Sequence, residues 1–180
     1  MMRGPVSMFV AWVLHDAEEA LTFPATADHL AEVSGIEALR MSTRQSAAAI
    51  GLVGAVVAAA GVRGMQTRGT SALYRSTVAG LEAHVFTHLL STAVLRRYTA
   101  GVITTVPIMW PGAVLARREL AELGHPLTGT DWKRGIALMG AVAVAAQLTV
   151  RIDWPNAVSS RRSRRRRPRG CAASAGADAG

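Results

Sequence analysis

Residues 46–62 read SAAAIGLVGAVVAAAGV, a run of Ala, Gly, Val and a few larger apolar residues without a single charge. A bilayer core about 30 Å thick is crossed by about 20 helical residues, and within lipid a helix satisfies its backbone amides and carbonyls without help from water. The run is therefore read as a membrane-spanning helix. Four further apolar stretches share the chain with it, at residues 5–24, 71–95, 99–116 and 132–154. Half of the 180 residues are hydrophobic (50%), and the mean hydropathy of +0.24 is high for a soluble domain. The expected fold is all-α, a polytopic membrane bundle of about five transmembrane helices built from residues 1–155.

Each stretch carries its own signals. In the first, Pro5 fits an opening turn and Pro24 is expected to end the helix; the polar residues 26–44 after it are expected to hold a short interfacial helix. A signal peptide is the weaker reading, because its hydrophobic region would contain His15, Asp16, Glu18 and Glu19. In residues 46–62, Ala47, Gly51, Ala55 and Ala59 recur at every fourth position. Small residues at that spacing let helices approach closely, so this face is expected to pack inside the bundle. Residues 99–116 contain Pro107 and the sequence Trp110-Pro111-Gly112, which predicts a kinked helix, with a hydrophilic loop at residues 117–130. Trp132 and Trp154 stand at the two ends of the last stretch, about 33 Å apart on a helix, as two aromatic belts would.

The first stretch places His15, Asp16, Glu18 and Glu19 in an otherwise apolar helix. Around its axis Glu18 and Glu19 flank His15 at about −60° and +40°. Ionised side chains near a bilayer centre cost about 2.5 to 3.5 kcal/mol each, so these groups must face protein or a water-filled cavity. His84 and His88, four residues apart, share one face of the third stretch, with Thr87 and Ser91 beside them. Two readings are open. In one, the patches are structural or relay protons, the acids being neutral or paired to Arg75 or His88. In the other, His15, Glu18 and Glu19 meet His84 and His88 in a His and carboxylate constellation. Imidazoles and carboxylates at three- and four-residue spacings on facing helices suit zinc or iron. A lone cysteine, Cys171, excludes a thiolate cluster. A glutamate left free of the metal would serve as general base.

The same residues carry a family resemblance. His15-Asp-Ala-Glu18-Glu19 followed by Leu21-Thr-Phe23-Pro24 resembles the signature of the HXXEE family, bacterial integral membrane proteins of unknown function. The second half agrees: His88-Leu-Leu-Ser91, then Arg97-Tyr98-Thr-Ala-Gly101 and Thr104, resembles that family's later histidine and its glycine turn. In the family pattern an Asn precedes the later histidine by four residues, where His84 stands here, and a Pro precedes the turn glycine, where Ala100 stands. The resemblance covers about residues 8–120. It implies a membrane domain with an enzymatic role of unnamed reaction, in which His15, Glu18, Glu19 and His88 are catalytic residues or metal ligands and His84 lies outside the set.

The formal net charge of +8 belongs to the tail, where seven arginines fall between Arg161 and Arg169; without them the chain is nearly neutral. Residues 156–180 lack a hydrophobic pattern and are expected to be disordered. A polybasic run directly after a membrane span is read as a topology determinant held near anionic lipid headgroups, in preference to a nucleic-acid-binding arm. The positive-inside rule then places the C-terminus in the cytoplasm, and the resemblance implies that the membrane is that of a bacterial cell. The expected function is a membrane-embedded, metal-dependent enzyme acting on a lipid-soluble or membrane-proximal substrate. The alternative is a non-enzymatic membrane protein: a small transporter subunit, a proton relay or a structural bundle.

Overall fold

The computed structural model describes residues 2–153, and among these all regular structure is helical. In chain order come α1 (Gly4–Ser34), a short 3-10 turn (Glu37–Leu39), α2 (Thr43–Gln66) and α3 (Ala72–Leu95). A single turn, α4 (Val102–Thr104), and a π-helical turn (Thr105–Met109) lead directly into α5 (Trp110–Glu122), and α6 (Gly129–Asp153) closes the bundle. Three helices, α2, α3 and α6, are long and apolar enough to cross a membrane. Trp154, Cys171 and the expectations for the arginine tail lie outside the described residues.

The expected end of the first helix at Pro24 is corrected: α1 opens with Pro5 but runs through Pro24 to Ser34, where Gly35 in a left-handed conformation (φ +72°) stops it. An interior proline removes one helical hydrogen bond and crowds the preceding turn, at about 3 kcal/mol. Burial downstream opposes that cost. Ala27 and Phe23 pack with Met41, with Ala49 of α2 and with Ala146 and Val150 of α6, so helical geometry beyond the proline is held by tertiary contacts. Residues 26–34 therefore belong to α1, and only the 3-10 turn remains of the separate interfacial helix. At its other end α1 is capped by a distant residue. The amides of Arg3 and Gly4 donate to the two oxygens of Glu119 in α5 at 2.7 and 2.6 Å, giving orphan N-terminal donors an anionic partner.

Helix α2 begins at a reciprocal cap between Ser42 and Gln45. Its packing face is not the expected one. Ala47, Gly51, Ala55 and Ala59 are exposed, whereas Ala49, Gly54, Val57, Ala60, Gly61 and Gly64 are buried. Gly54 lies under the Trp12 indole and Gly64 under the Tyr74 ring. In a helix made of small residues on every side, the position of large aromatic partners selects the buried face.

Helix α1 lies against α2 and α5, while α3 lies against α6 and α5. Where α3 crosses α6 the backbones touch: a Cβ on Gly80 would come within 2.6 Å of the Gly135 carbonyl oxygen. Two ion pairs bind α3 to its neighbours, Arg75 to Asp131 at 2.6 Å and Glu82 to Arg117 at 2.9 Å. Arg75 is thus committed to α6 and leaves the acids of α1 to other partners. The expected kink at Pro107 takes the form of the π-helical turn, whose longer hydrogen-bonded ring absorbs the proline. Helical structure then continues through Pro111 to Glu122, so the expected loop at residues 117–130 shrinks to residues 123–128.

The crossing at Gly80 makes a checkable claim. Gly80→Ala is expected to lower the stability of the detergent-purified protein by about 1 to 3 kcal/mol, the usual range for overpacking, measured by SDS titration. Gly51→Ala, with nothing within 4 Å of its new methyl group, should leave stability unchanged or slightly higher; equal losses at the two positions would restore the Ala47 to Ala59 stripe as a packing face.

Candidate metal centre

Helix α1 presents His15 and Glu19 on one face by their four-residue spacing, and α3 presents His84 and His88 in the same way. The fold brings the four together: one ligand atom from each of His15, Glu19, His84 and His88 lies within 4.8 Å of all the others. His15 and His88 are buried, at 0% and 6% exposure. Between rings, Nε2 of His15 stands 3.2 Å from Nε2 of His88, which is 2.8 Å from Nε2 of His84.

The positions of the ring protons follow from the outer partners. His88 Nδ1 faces the Ala100 carbonyl at 2.9 Å; a carbonyl only accepts, so Nδ1 carries the proton and neutral His88 turns an Nε2 lone pair inward. His15 Nδ1 faces the Thr104 hydroxyl at 3.0 Å. That hydroxyl donates to Glu18 Oε2 at 2.6 Å, so it accepts from His15, and the His15 Nε2 lone pair also points inward. His84 repeats the pattern. Its Nδ1 lies 3.1 Å from the Thr87 hydroxyl, which donates to the His84 carbonyl at 2.7 Å. Three imidazole lone pairs therefore converge beside Glu19, a donor set that could hold a metal ion. Nitrogens held about 2.0 to 2.1 Å from a tetrahedral zinc stand about 3.3 to 3.4 Å apart; the 3.2 Å between His15 and His88 is close to that edge, and the 2.8 Å between His88 and His84 is shorter.

Glu18 takes no part in this convergence. Its carboxylate accepts from the Thr104 amide at 2.9 Å, the Thr104 hydroxyl, the Ile103 amide at 3.4 Å and the Tyr98 hydroxyl at 2.5 Å. It thereby caps the helical arm that begins at Val102 and fastens the turn at residues 98–104 to α1. Burial and the adjacent Glu18 carboxylate raise the Tyr98 phenol above its ordinary pKa, which keeps it a donor. The same turn presses Gly101 against the imidazoles. Gly101 has φ +80°, and a Cβ there would lie 2.7 Å from His15 Cε1 and 2.9 Å from His88 Cε1. The amide of Ala100 is tied to Thr26 of α1 at 3.0 Å. Its carbonyl is thus fixed in front of His88.

Of the residues singled out in the sequence, His15, Glu19 and His88 meet, and His84, which the resemblance placed outside the set, meets them. Glu18 is turned away toward the 98–104 turn. Asp16 is buried one turn before Glu19, with its Oδ2 lacking a hydrogen-bond partner. The roles of Thr104, Thr87 and the Ala100 carbonyl in setting ring protons escape sequence reasoning, although Thr87 beside His84 carried a local signal through its three-residue spacing.

A family model described as a protein of unknown function with an HXXEE motif matches residues 6–116, the span from α1 to the middle of α5 that contains every residue of the cluster. No curated protein and no solved structure gives a significant match.

Gly101 provides a test of the cluster's packing. Gly101→Ala is expected to cost about 1 to 3 kcal/mol from its backbone conformation and further stability from contact with two imidazoles. Gly124→Ala has the same φ of +80° but open space around the new methyl group, so it reports the conformational part alone. Chemical denaturation of both variants in detergent should show the larger loss at Gly101, and equal losses would contradict the close approach to His15 and His88.

Proposed function

The chain belongs to the HXXEE-motif family of proteins of unknown function, and from that membership and the geometry of its imidazoles we propose that it is a membrane-embedded, metal-dependent enzyme acting on a lipid-soluble or membrane-proximal substrate. The observation that carries this reading is the convergence of three Nε2 lone pairs and the Glu19 carboxylate within 4.8 Å. Zinc and iron are the metals suited to this donor set. Such an ion supplies Lewis-acid activation of a bound oxygen. His15, Glu19 and His88 are its ligands, with His84 as the fourth. Glu18 acts as a positioning residue: through Thr104 it fixes the His15 tautomer, as carboxylates behind metal-binding histidines commonly do. Asp16, buried beside the ligand Glu19 with an unpaired oxygen, is the acid available to receive a proton. Residence in a bacterial cell membrane, further spans beyond α2, α3 and α6, attraction of the arginine tail to anionic headgroups and a cytoplasmic C-terminus belong to the same proposal.

One observation favours a second reading. The 2.8 Å between His84 and His88 is a hydrogen-bond length, shorter than the edge of a metal tetrahedron, and suits two imidazoles sharing a proton. In that reading the cluster relays protons without a metal.

Elemental analysis of the detergent-purified protein separates the two. About one zinc or iron per chain is expected, lost in His88→Ala and in Glu19→Gln. Thr104→Val, which keeps the side chain's shape but cannot orient His15, should weaken metal binding about 10- to 100-fold, the usual effect of removing a partner behind a ligand. Absence of metal from the wild-type protein would overturn the metalloenzyme and leave the proton relay.

A further inference from the structure

Beside the cluster lies a cavity of about 440 Å³ whose walls come from α1, α3 and residues 99–100 of the turn after α3. Along α1 the lining residues Glu19, Phe23, Thr26 and Leu30 recur at alternating spacings of four and three, and along α3 His84, Thr87 or His88, Ser91, and Val94 or Leu95 do the same. Residues at that spacing form one continuous face on each helix, the kind of face that ordinarily closes on a partner helix. Here the two faces do not close. Both helices are seated on α2 and α5, α3 also on α6, and α1 and α3 share no extended interface with each other.

The cavity has two chemically distinct ends. Glu19, His84 and His88 form the first, continuous with the cluster. Beyond them the walls are Phe23 and Leu30 on one side and Leu90, Val94 and Leu95 on the other. Leu90 and Val94 are 65% and 69% exposed on a helix apolar enough to span a membrane, so with α3 in a bilayer the apolar end would be bordered by lipid-facing side chains. The cavity's volume lies within the range of small-molecule sites, and two helix faces with a polar group at one end suit one hydrocarbon chain with a small head. Sites of this size bind by apolar walls with a few polar groups fixing orientation.

We propose that the cavity between α1 and α3 binds a single-chain amphiphile of the fatty-alcohol type, which enters from the bilayer past Leu90 and Val94 with its hydroxyl head directed to Glu19 and His88, where it donates to a carboxylate oxygen or an imidazole lone pair. This rests on the reading of the cluster as a reactive centre and names the substrate class that the centre receives. The chain lies along Phe23 and Leu30, and the head arrives at the imidazoles without leaving the membrane.

The test uses the full chain reconstituted in phosphatidylcholine nanodiscs, with a long-chain saturated fatty alcohol carrying a terminal diazirine. After photolysis, mass spectrometry should find the label on the cavity walls of α1 and α3, resistant to the excess two-chain lipid. Ser91→Trp and Leu30→Trp, which fill the cavity from opposite walls, should each reduce labelling at least tenfold. Leu148→Trp, on the exposed outer face of α6, should not. Label spread over α6 as heavily as over the cavity walls, or undiminished in both cavity-filling variants, would overturn the proposal. Metal content measured on the same samples keeps the two readings apart: cavity labelling without bound metal refutes the metal centre and supports this site, and bound metal without cavity labelling does the reverse.

Discussion

The Glu18 carboxylate is held by the amide and hydroxyl of Thr104, and two consequences depend on that contact. It anchors the 98–104 turn to α1, so that Gly101 and the Ala100 carbonyl stand against His15 and His88. It also uses the Thr104 hydroxyl proton, which obliges the oxygen to accept from His15 and turns the other ring nitrogen inward. One carboxylate therefore helps to shape the site and sets the direction of the His15 lone pair. A charged acceptor is suited to the task because hydrogen bonds to an ionised oxygen are roughly twice as strong as neutral ones.

The two glutamates of the motif are adjacent in the chain and have opposite duties. A helical step of 100° separates them, enough to send Glu19 to the imidazoles and Glu18 to the turn after α3. The polar residues inside this apolar chain follow the same division of labour elsewhere. Arg75 and Asp131 bind α3 to α6, Glu82 and Arg117 bind α3 to α5, and Glu119 caps α1. Each such group is expensive to bury alone and is met by a partner from another helix. This leaves the Asp16 Oδ2 conspicuous as a buried carboxylate oxygen without one.

Small residues do the rest of the assembly. They let helices approach closely, and Gly80 against Gly135, Gly54 under Trp12 and Gly112 beside Ala11 are where this occurs. The cavity between α1 and α3 is the exception. There the facing residues are larger, Phe23 and Leu30 against Leu90 and Leu95, and the helices stand apart, so an apolar space adjoins the His and Glu cluster.

The all-helical architecture, the presence of α2, the bounds of α3 and the candidacy of His15, Glu19 and His88 were legible in the sequence, because hydropathy and three- and four-residue spacing are local properties of a helix. The continuation of α1 past Pro24 was not, since a local rule against interior proline yields there to burial of Ala27. The buried face of α2 was equally hidden: its sequence is small on all sides, and only Trp12 and Tyr74, contributed by other helices, choose among the faces. His84 entered the cluster for a reason of the same kind. Its spacing from His88 put it on the right face, but whether that face met α1 depended on the turn at residues 98–104. The sequence by itself determined which side chains share a helix face; the tertiary structure decided which faces meet and where the His15 ring proton points, because those depend on partners some 70 to 90 residues away along the chain.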